Sequence, residues 1–180
     1  MTCSPRADMV AAMDIPVFVS CPTSLTKEQD SARAMVLRQL RRFNLEPRAL
    51  GRSDYPTELP LREVLLLARH CSGGVILGFE QYRSLTGVRK PGTPDESGHE
   101  DPVPFPTSWN HLEAGILFGL TLPILIFREE GIEGGVFDPG VTDVFIHPMP
   151  SPSDDSARKS ALGDVFLKWQ SDVRAHYYRT

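Results

Sequence analysis

The chain has 180 residues, 41% of them hydrophobic and 23% charged, with a formal net charge of −4. That length suits one domain with a substantial core, and the composition argues against wholesale disorder. Affinity for DNA or RNA comes from phosphate contacts, so a mildly acidic chain without a basic run is not expected to bind nucleic acid. A phosphorylated small molecule, which needs only one or two donors, is not excluded.

Residues 1–14 read as a flexible leader. Arg6, Asp8 and Asp14 interrupt the apolar stretch that a secretory signal requires. Residues 15–180 read as a single domain. Ile15 to Ser20 is a continuous apolar run, the pattern of a strand buried on both faces. Thr26 and Gln29 have capping-box spacing and open a helix whose apolar positions are Met35, Val36, Leu40 and Phe43, closing at Asn44. Glu46 to Leu50 is a weak strand, and Pro47 places it at a sheet edge. A polar loop over 51–60 leads to a second helix, Leu61 to His70, with Val64, Leu65 and Ala68 inward. Gly73 to Phe79 is the next buried strand.

The stretch 80–107 is rich in proline and glycine and reads as a long loop, either an active-site lid or a mobile insertion. Ser108 then caps a helix from Trp109 to Leu120, and Leu122 to Phe127 is the third clear strand. Glu129 to Thr142 is loop, Val144 to Ile146 a last strand, and Asp154 or Ser156 caps a helix from Ala157 to about His176. The longest apolar stretch, Ala114 to Phe127, is broken by Gly119, Thr121 and Pro123, so no membrane span is expected.

Strands alternating with helices imply βαβ units and a parallel sheet. The expected fold is α/β, a flavodoxin- or Rossmann-like three-layer sandwich with a parallel sheet of about five strands. The cysteines, Cys3, Cys21 and Cys71, are odd in number and widely spaced, without a CxxC pair. Neither a zinc site nor a disulfide framework is expected, and reduced thiols place the protein in the cytoplasm. His99, His111 and His147 lack partners at metal-ligand spacing, so no metal is expected.

Open parallel sheets bind ligands at the carboxyl ends of their strands. On that rule the loop after the first strand brings Ser20, Cys21 and Pro22 to a helix N-terminus, whose amides can hold an anion. It lacks the glycines of a P-loop or a GxGxxG turn, which argues against an ATPase or a dinucleotide-dependent dehydrogenase and leaves no cofactor indicated. Cys21 reads as a reactive thiol or, more often at such a place, as a buried inert one. Asp54, after the second strand, can meet a ribose or simply make a turn. Glu80, directly after its strand, lines the cleft or is a surface acid.

The most informative segment is the helix after the long loop. Glu113 is an acid among almost wholly apolar residues, near a helix N-terminus whose partial positive charge favours a carboxylate. Gly115, two residues on, permits close approach of a backbone or ligand. Periodicity alone favours a surface acid on the helix's exposed stripe; a mostly buried helix facing a strand-end cleft makes Glu113 a nucleophile or base. Phe79, Tyr82, Phe105 and Trp109 are candidates for an aromatic wall against a base, with core or lid packing the commoner role for each. Asn110 serves either a ribose hydroxyl or the helix cap.

The stretch Trp109-Asn110-His111-Leu112-Glu113-Ala114-Gly115, continuing to Pro123-Ile124-Leu125-Ile126, resembles the nucleoside 2-deoxyribosyltransferase-like superfamily. Glu113, Gly115 and Pro123-Ile124 match that family's pattern. Leu122 stands where the family has lysine, and Ser72 stands near an expected aspartate. Only residues 109–126 carry a motif, although the order of elements agrees over about 15–150. Toll/interleukin-1-receptor-like NADases also place a glutamate on a helix of such a sheet. The resemblance implies cleavage of an N-glycosidic bond, or deoxyribosyl transfer, with Glu113 as nucleophile on a nucleoside, nucleotide or NAD as substrate. It implies a homo-oligomer as well. The alternatives are a Toll/interleukin-1-receptor-like NAD glycohydrolase and a non-catalytic nucleotide-sensing or signalling domain.

Overall fold

The structure, a computed structural model, describes residues 14–50, 59–142 and 144–179. Asp54 and residues 1–13 of the expected leader lie outside the described residues.

Five strands form one parallel sheet: β1 (Ile15–Ser20), β2 (Leu45–Arg48), β3 (Gly74–Gly78), β8 (Ile124–Arg128) and β9 (Ile146–Pro148), in the order β2-β1-β3-β8-β9. The four helices are α1 (Lys27–Arg42), α2 (Pro60–Arg69), α3 (Ser108–Gly119) and α4 (Ser156–Tyr177). This is the expected flavodoxin/Rossmann-like α/β sandwich. Side chains alternate across a strand, and the core divides accordingly. Val17, Val19, Val75, Leu77, Leu125 and Phe127 pack with α1 and α4 on one face. Phe18, Ile76, Ile124 and Ile126 pack with α2 and α3 on the other. Burying a side chain of this size contributes about 1.5–3 kcal/mol, and most of these strand positions are at most 5% exposed.

Local chemistry accounts for the element ends. Thr26 accepts from the Gln29 amide while the Gln29 side chain accepts from the Thr26 amide, the reciprocal capping box read from the sequence. Asn44 takes φ 56° after α1, and its short polar side chain tolerates that left-handed conformation. Pro47 lies in the edge strand β2, where a missing N–H costs no ladder bond. The last strand sits two residues later than expected, over Ile146–Pro148, because its pairing with Ile126–Arg128 rather than local apolarity sets its bounds.

Two further differences bear on the site. The stretch 80–107 is not structureless. It forms a two-part antiparallel arm: β4 (Tyr82–Ser84) pairs with β7 (Val103–Phe105), and β5 (Gly87–Arg89) pairs with β6 (Ser97–His99). Three-residue strands are too short to show a period of two, so only the pairing reveals them. Second, α3 is not mostly buried. It turns Asn110, Ala114 and Leu117 inward, while Trp109, Leu112 and Phe118 are 42%, 48% and 54% exposed. An outer-layer helix buries one face whatever its composition. Its N-cap is Thr107 rather than Ser108. Among the described residues no helix is long and apolar enough to cross a membrane.

Candidate functional site

The sheet order creates a crevice. The chain leaves β1 for β2 on one side and then places β3 on β1's other side, so the β1 and β3 carboxyl ends flank a topological switch point. Ser20 ends β1, Glu80 follows β3, and α3 begins beside them on the α2/α3 face. Ser20 alternates with Val19, so its side chain points to that same face.

There a hydrogen-bonded chain forms. Asn110 and Glu113 are three residues apart on α3 and therefore neighbours on one helix face. Asn110 Nδ2 donates to Ser20 Oγ at 2.8 Å and to the Leu77 carbonyl at 3.3 Å. Thr107 Oγ1 donates to Asn110 Oδ1 at 2.9 Å and accepts from the Asn110 amide at 3.3 Å. Ser20 also lies near Glu113, where its hydroxyl favours the ionised carboxylate. Ser20 and Asn110 are each 1% exposed.

Glu113 itself is half-buried. Burial pushes its carboxyl up to about 7, and the nearby Ser20 hydroxyl opposes that shift only in part. The expectation that the helix N-terminus stabilises this carboxylate is corrected. The favourable field fades beyond the first turn, and α3 has no acid in its first turn; Glu113 lies beyond it. Loss of water outweighs what remains.

A second polar cluster sits at the β3 and β8 carboxyl ends. Glu129 accepts from the Glu80 amide at 2.6 Å and from Gln29 Nε2 at 3.1 Å; Gln29 also donates to the Glu80 carbonyl. The Glu80 carboxylate pairs with Arg83, whose guanidinium holds it below its ordinary range. Glu129 and Gln29 were not singled out from sequence. The signal available was position: Glu129 directly follows a strand, as Glu80 does. Gln29 had been fully explained by its capping role.

The remaining expected contacts divide. Phe79 is fully buried in the α1/α4 core and cannot stack on a ligand, and Pro22 is buried. Cys21 packs against that same core, away from Glu113, and its Sγ lies 3.5 Å from the Pro22 carbonyl. Asn110 is too buried, and too fully bonded, to reach a ribose. Tyr82, 70% exposed, pairs with Phe105 across the arm at 6.5 Å between ring centroids. Trp109 remains open on the first turn of α3. Ser20, Asn110 and Glu113 converge, and Glu80 and Trp109 lie at the ends of the elements that frame them.

A cleft of about 990 Å³ opens separately, between the starts of α1 and α4 and the ends of β8 and β9. Its charges balance closely: Lys27, Arg128 and Arg158 face Glu28, Glu129, Glu130 and Asp154. Arg128 is spent on the Ile132 and Phe137 carbonyls, and Arg158 lies 3.6 Å from Asp154. Glu113 does not line it. Among the described residues no group of three or more His, Cys, Asp or Glu side chains is placed to hold a metal ion.

Comparison with family models, with curated proteins and with solved structures finds no match to this chain. The fold and the geometry at Glu113 therefore stand on their own.

Proposed function

We propose that this protein cleaves the N-glycosidic bond of a nucleoside, nucleotide or NAD, or transfers the deoxyribosyl group, with Glu113 as nucleophile. The observation that carries the reading is Glu113 itself: a half-buried carboxyl on α3, one helical turn from Asn110, which bonds Ser20 at the switch point between β1 and β3. The sequence resemblance around Glu113, Gly115 and Pro123-Ile124 supports it. The departure at Ser72 does not weaken it, because Ser72 precedes β3 and donates its amide to the Pro16 carbonyl at the amino-terminal end of the strands, away from the crevice.

The chemistry follows from charge. As the glycosidic C–N bond lengthens, positive charge develops at the anomeric carbon, and a carboxylate beside it stabilises that oxocarbenium-like state. A Glu113 oxygen bonds to the anomeric carbon as the C–N electron pair leaves with the base, which takes a proton from solvent or, as the nicotinamide of NAD, leaves already neutral. Water, or a second base, then displaces Glu113 and restores the carboxylate. Trp109, open on the first turn of the helix that carries Glu113, is the aromatic surface available to flank a base. The reading brings with it a small-molecule partner, no resident cofactor, a cytoplasmic location and a homo-oligomer.

A sensor that binds the nucleotide without cleaving it is the second reading. What favours it is the raised carboxyl, which leaves much of Glu113 protonated near neutrality and so a weak nucleophile.

The test is product analysis of the purified protein on a panel of deoxynucleosides, nucleoside monophosphates and NAD, with Glu113→Gln in parallel. Free base from the wild type and none from the variant is the expected result. No release by the wild type across the panel, with ligand binding retained, transfers the assignment to the sensor.

A further inference from the structure

A pocket of about 440 Å³ lies away from Glu113, between α4, the start of β8 and the chain leading into β9. Leu125, Val165 and Trp169 of its lining belong to the core on the α1/α4 face, whereas Glu113 stands on α3, across the sheet. Ile124 and Val144 complete an apolar lining. Asp164, Lys168 and Asp172, four residues apart along α4, form one exposed stripe beside it.

Trp169 is the unusual member. It is 5% exposed, and its indole N–H has no hydrogen-bond partner among the described residues. Its neighbours fix the ring. Phe166 meets it nearly at right angles, 6.2 Å between centroids, and Cζ2 packs so closely on Gly73 that a Cβ there would stand only 3.0 Å away. The indole cannot turn to find an acceptor. Buried N–H groups are almost always paired, because the hydrogen bond lost to water is otherwise uncompensated, and phenylalanine would supply an aromatic ring without that cost. The charges beside it are unspent as well. Lys168 Nζ lies over the Phe145 ring, 5.8 Å from its centroid, rather than on an aspartate, and neither Asp164 nor Asp172 has an ion pair among the described residues. Phe145 holds its ring 78% exposed.

We propose that this pocket binds a small heteroaromatic amine, a flat molecule of about two rings. Its unprotonated ring nitrogen accepts from the Trp169 N–H, its amino group donates to Asp164 or Asp172, and its ring lies against Phe145. Each part answers one observation: the orphaned donor calls for an acceptor, the free carboxylates for a donor, and the exposed ring for an aromatic face. The volume falls within the range of about 300–1,000 Å³ usual for small-molecule sites. Phe145 and Lys168 are exposed and change rotamer freely, so the mouth opens around an entering ring. The site does not depend on how Glu113 is read.

The chain's two tryptophans make the test direct, because one stands at each place: Trp109 on the first turn of α3 and Trp169 in this pocket. The full chain is labelled with ¹⁵N, Trp109→Phe assigns the two indole N–H signals, and 2-aminobenzothiazole, whose ring nitrogen is unprotonated at neutral pH, is added to millimolar concentration. The Trp169 signal is expected to move downfield to saturation, as a donor gaining its acceptor does, while the Trp109 signal stays still. Trp169→Phe should weaken binding by about five-fold, the loss of one neutral hydrogen bond. Asp164→Asn with Asp172→Asn should weaken the amine but not benzothiazole, which keeps the ring nitrogen and lacks the amino group. A Trp169 signal that does not move, or movement of Trp109 alone, overturns the proposal. So does a folded Trp169→Phe protein that binds the probe as tightly as the wild type. Should Trp169→Phe not fold, Val144→Trp fills the pocket from its half-buried wall, and a Trp169 shift that survives that substitution overturns the proposal equally.

Discussion

Glu113→Gln should stabilise the protein in alkaline solution and leave it nearly unchanged in acid. The carboxyl has an ordinary value of 4.5 and is raised to about 7 by burial. Folding therefore favours the protonated form. Below pH 4.5 both the folded and the unfolded chain carry the proton, and the neutral glutamine mimics it. As pH rises from 4.5 towards 7 the unfolded chain releases its proton first, so stability falls through that window. Above 7 the full difference applies. A gap of about 2.5 pH units at about 1.4 kcal/mol each gives about 3 kcal/mol, which residual solvent access reduces to about 2–3 kcal/mol. For a chain of this size that is a rise in Tm of about 5–10 °C at pH 8.

The assay is urea and thermal unfolding of wild type and variant at pH 4 and pH 8. The difference between the two proteins cancels every other titrating group. An equal effect of the substitution at both pH values refutes the argument that Glu113 is held against its own desolvation. A group retained at such a cost is what a functional carboxyl looks like energetically.

Further outcomes follow from the same geometry. On any substrate from which base is released, turnover should rise with pH through about 7 and level off above it, because only the ionised Glu113 attacks; a rate that falls across that range makes Glu113 a proton donor instead. Thr121 follows α3 at φ 56°, a conformation that crowds a β-branched side chain, so Thr121→Gly should raise stability by about 1 kcal/mol in urea unfolding. Leu117 is fully buried and rests where any side chain at Gly74 would stand, so Leu117→Ala should cost about 2–5 kcal/mol. A smaller loss means that α3 settles onto β3 to fill the gap.

Much of this was legible in the amino-acid order because it is written locally. The buried strands at Ile15–Ser20, Gly74–Gly78 and Ile124–Arg128 are apolar runs, and the start of α1 is a capping box within four residues. Alternation of such elements dictates a parallel doubly wound sheet, and that topology alone directs attention to Ser20, Glu80 and the helix bearing Glu113. What only the tertiary structure decided depends on partners far apart along the chain. Asn110 and Ser20 are separated by 90 positions, and nothing near either announces their hydrogen bond. The arm over Tyr82–Phe105 exists through cross-strand pairs, not through its own pattern. The direction of Glu113's shift is of the same kind. Sequence position weighs the helix field, which is local, whereas desolvation is a sum over everything packed around the carboxyl, and here that sum wins.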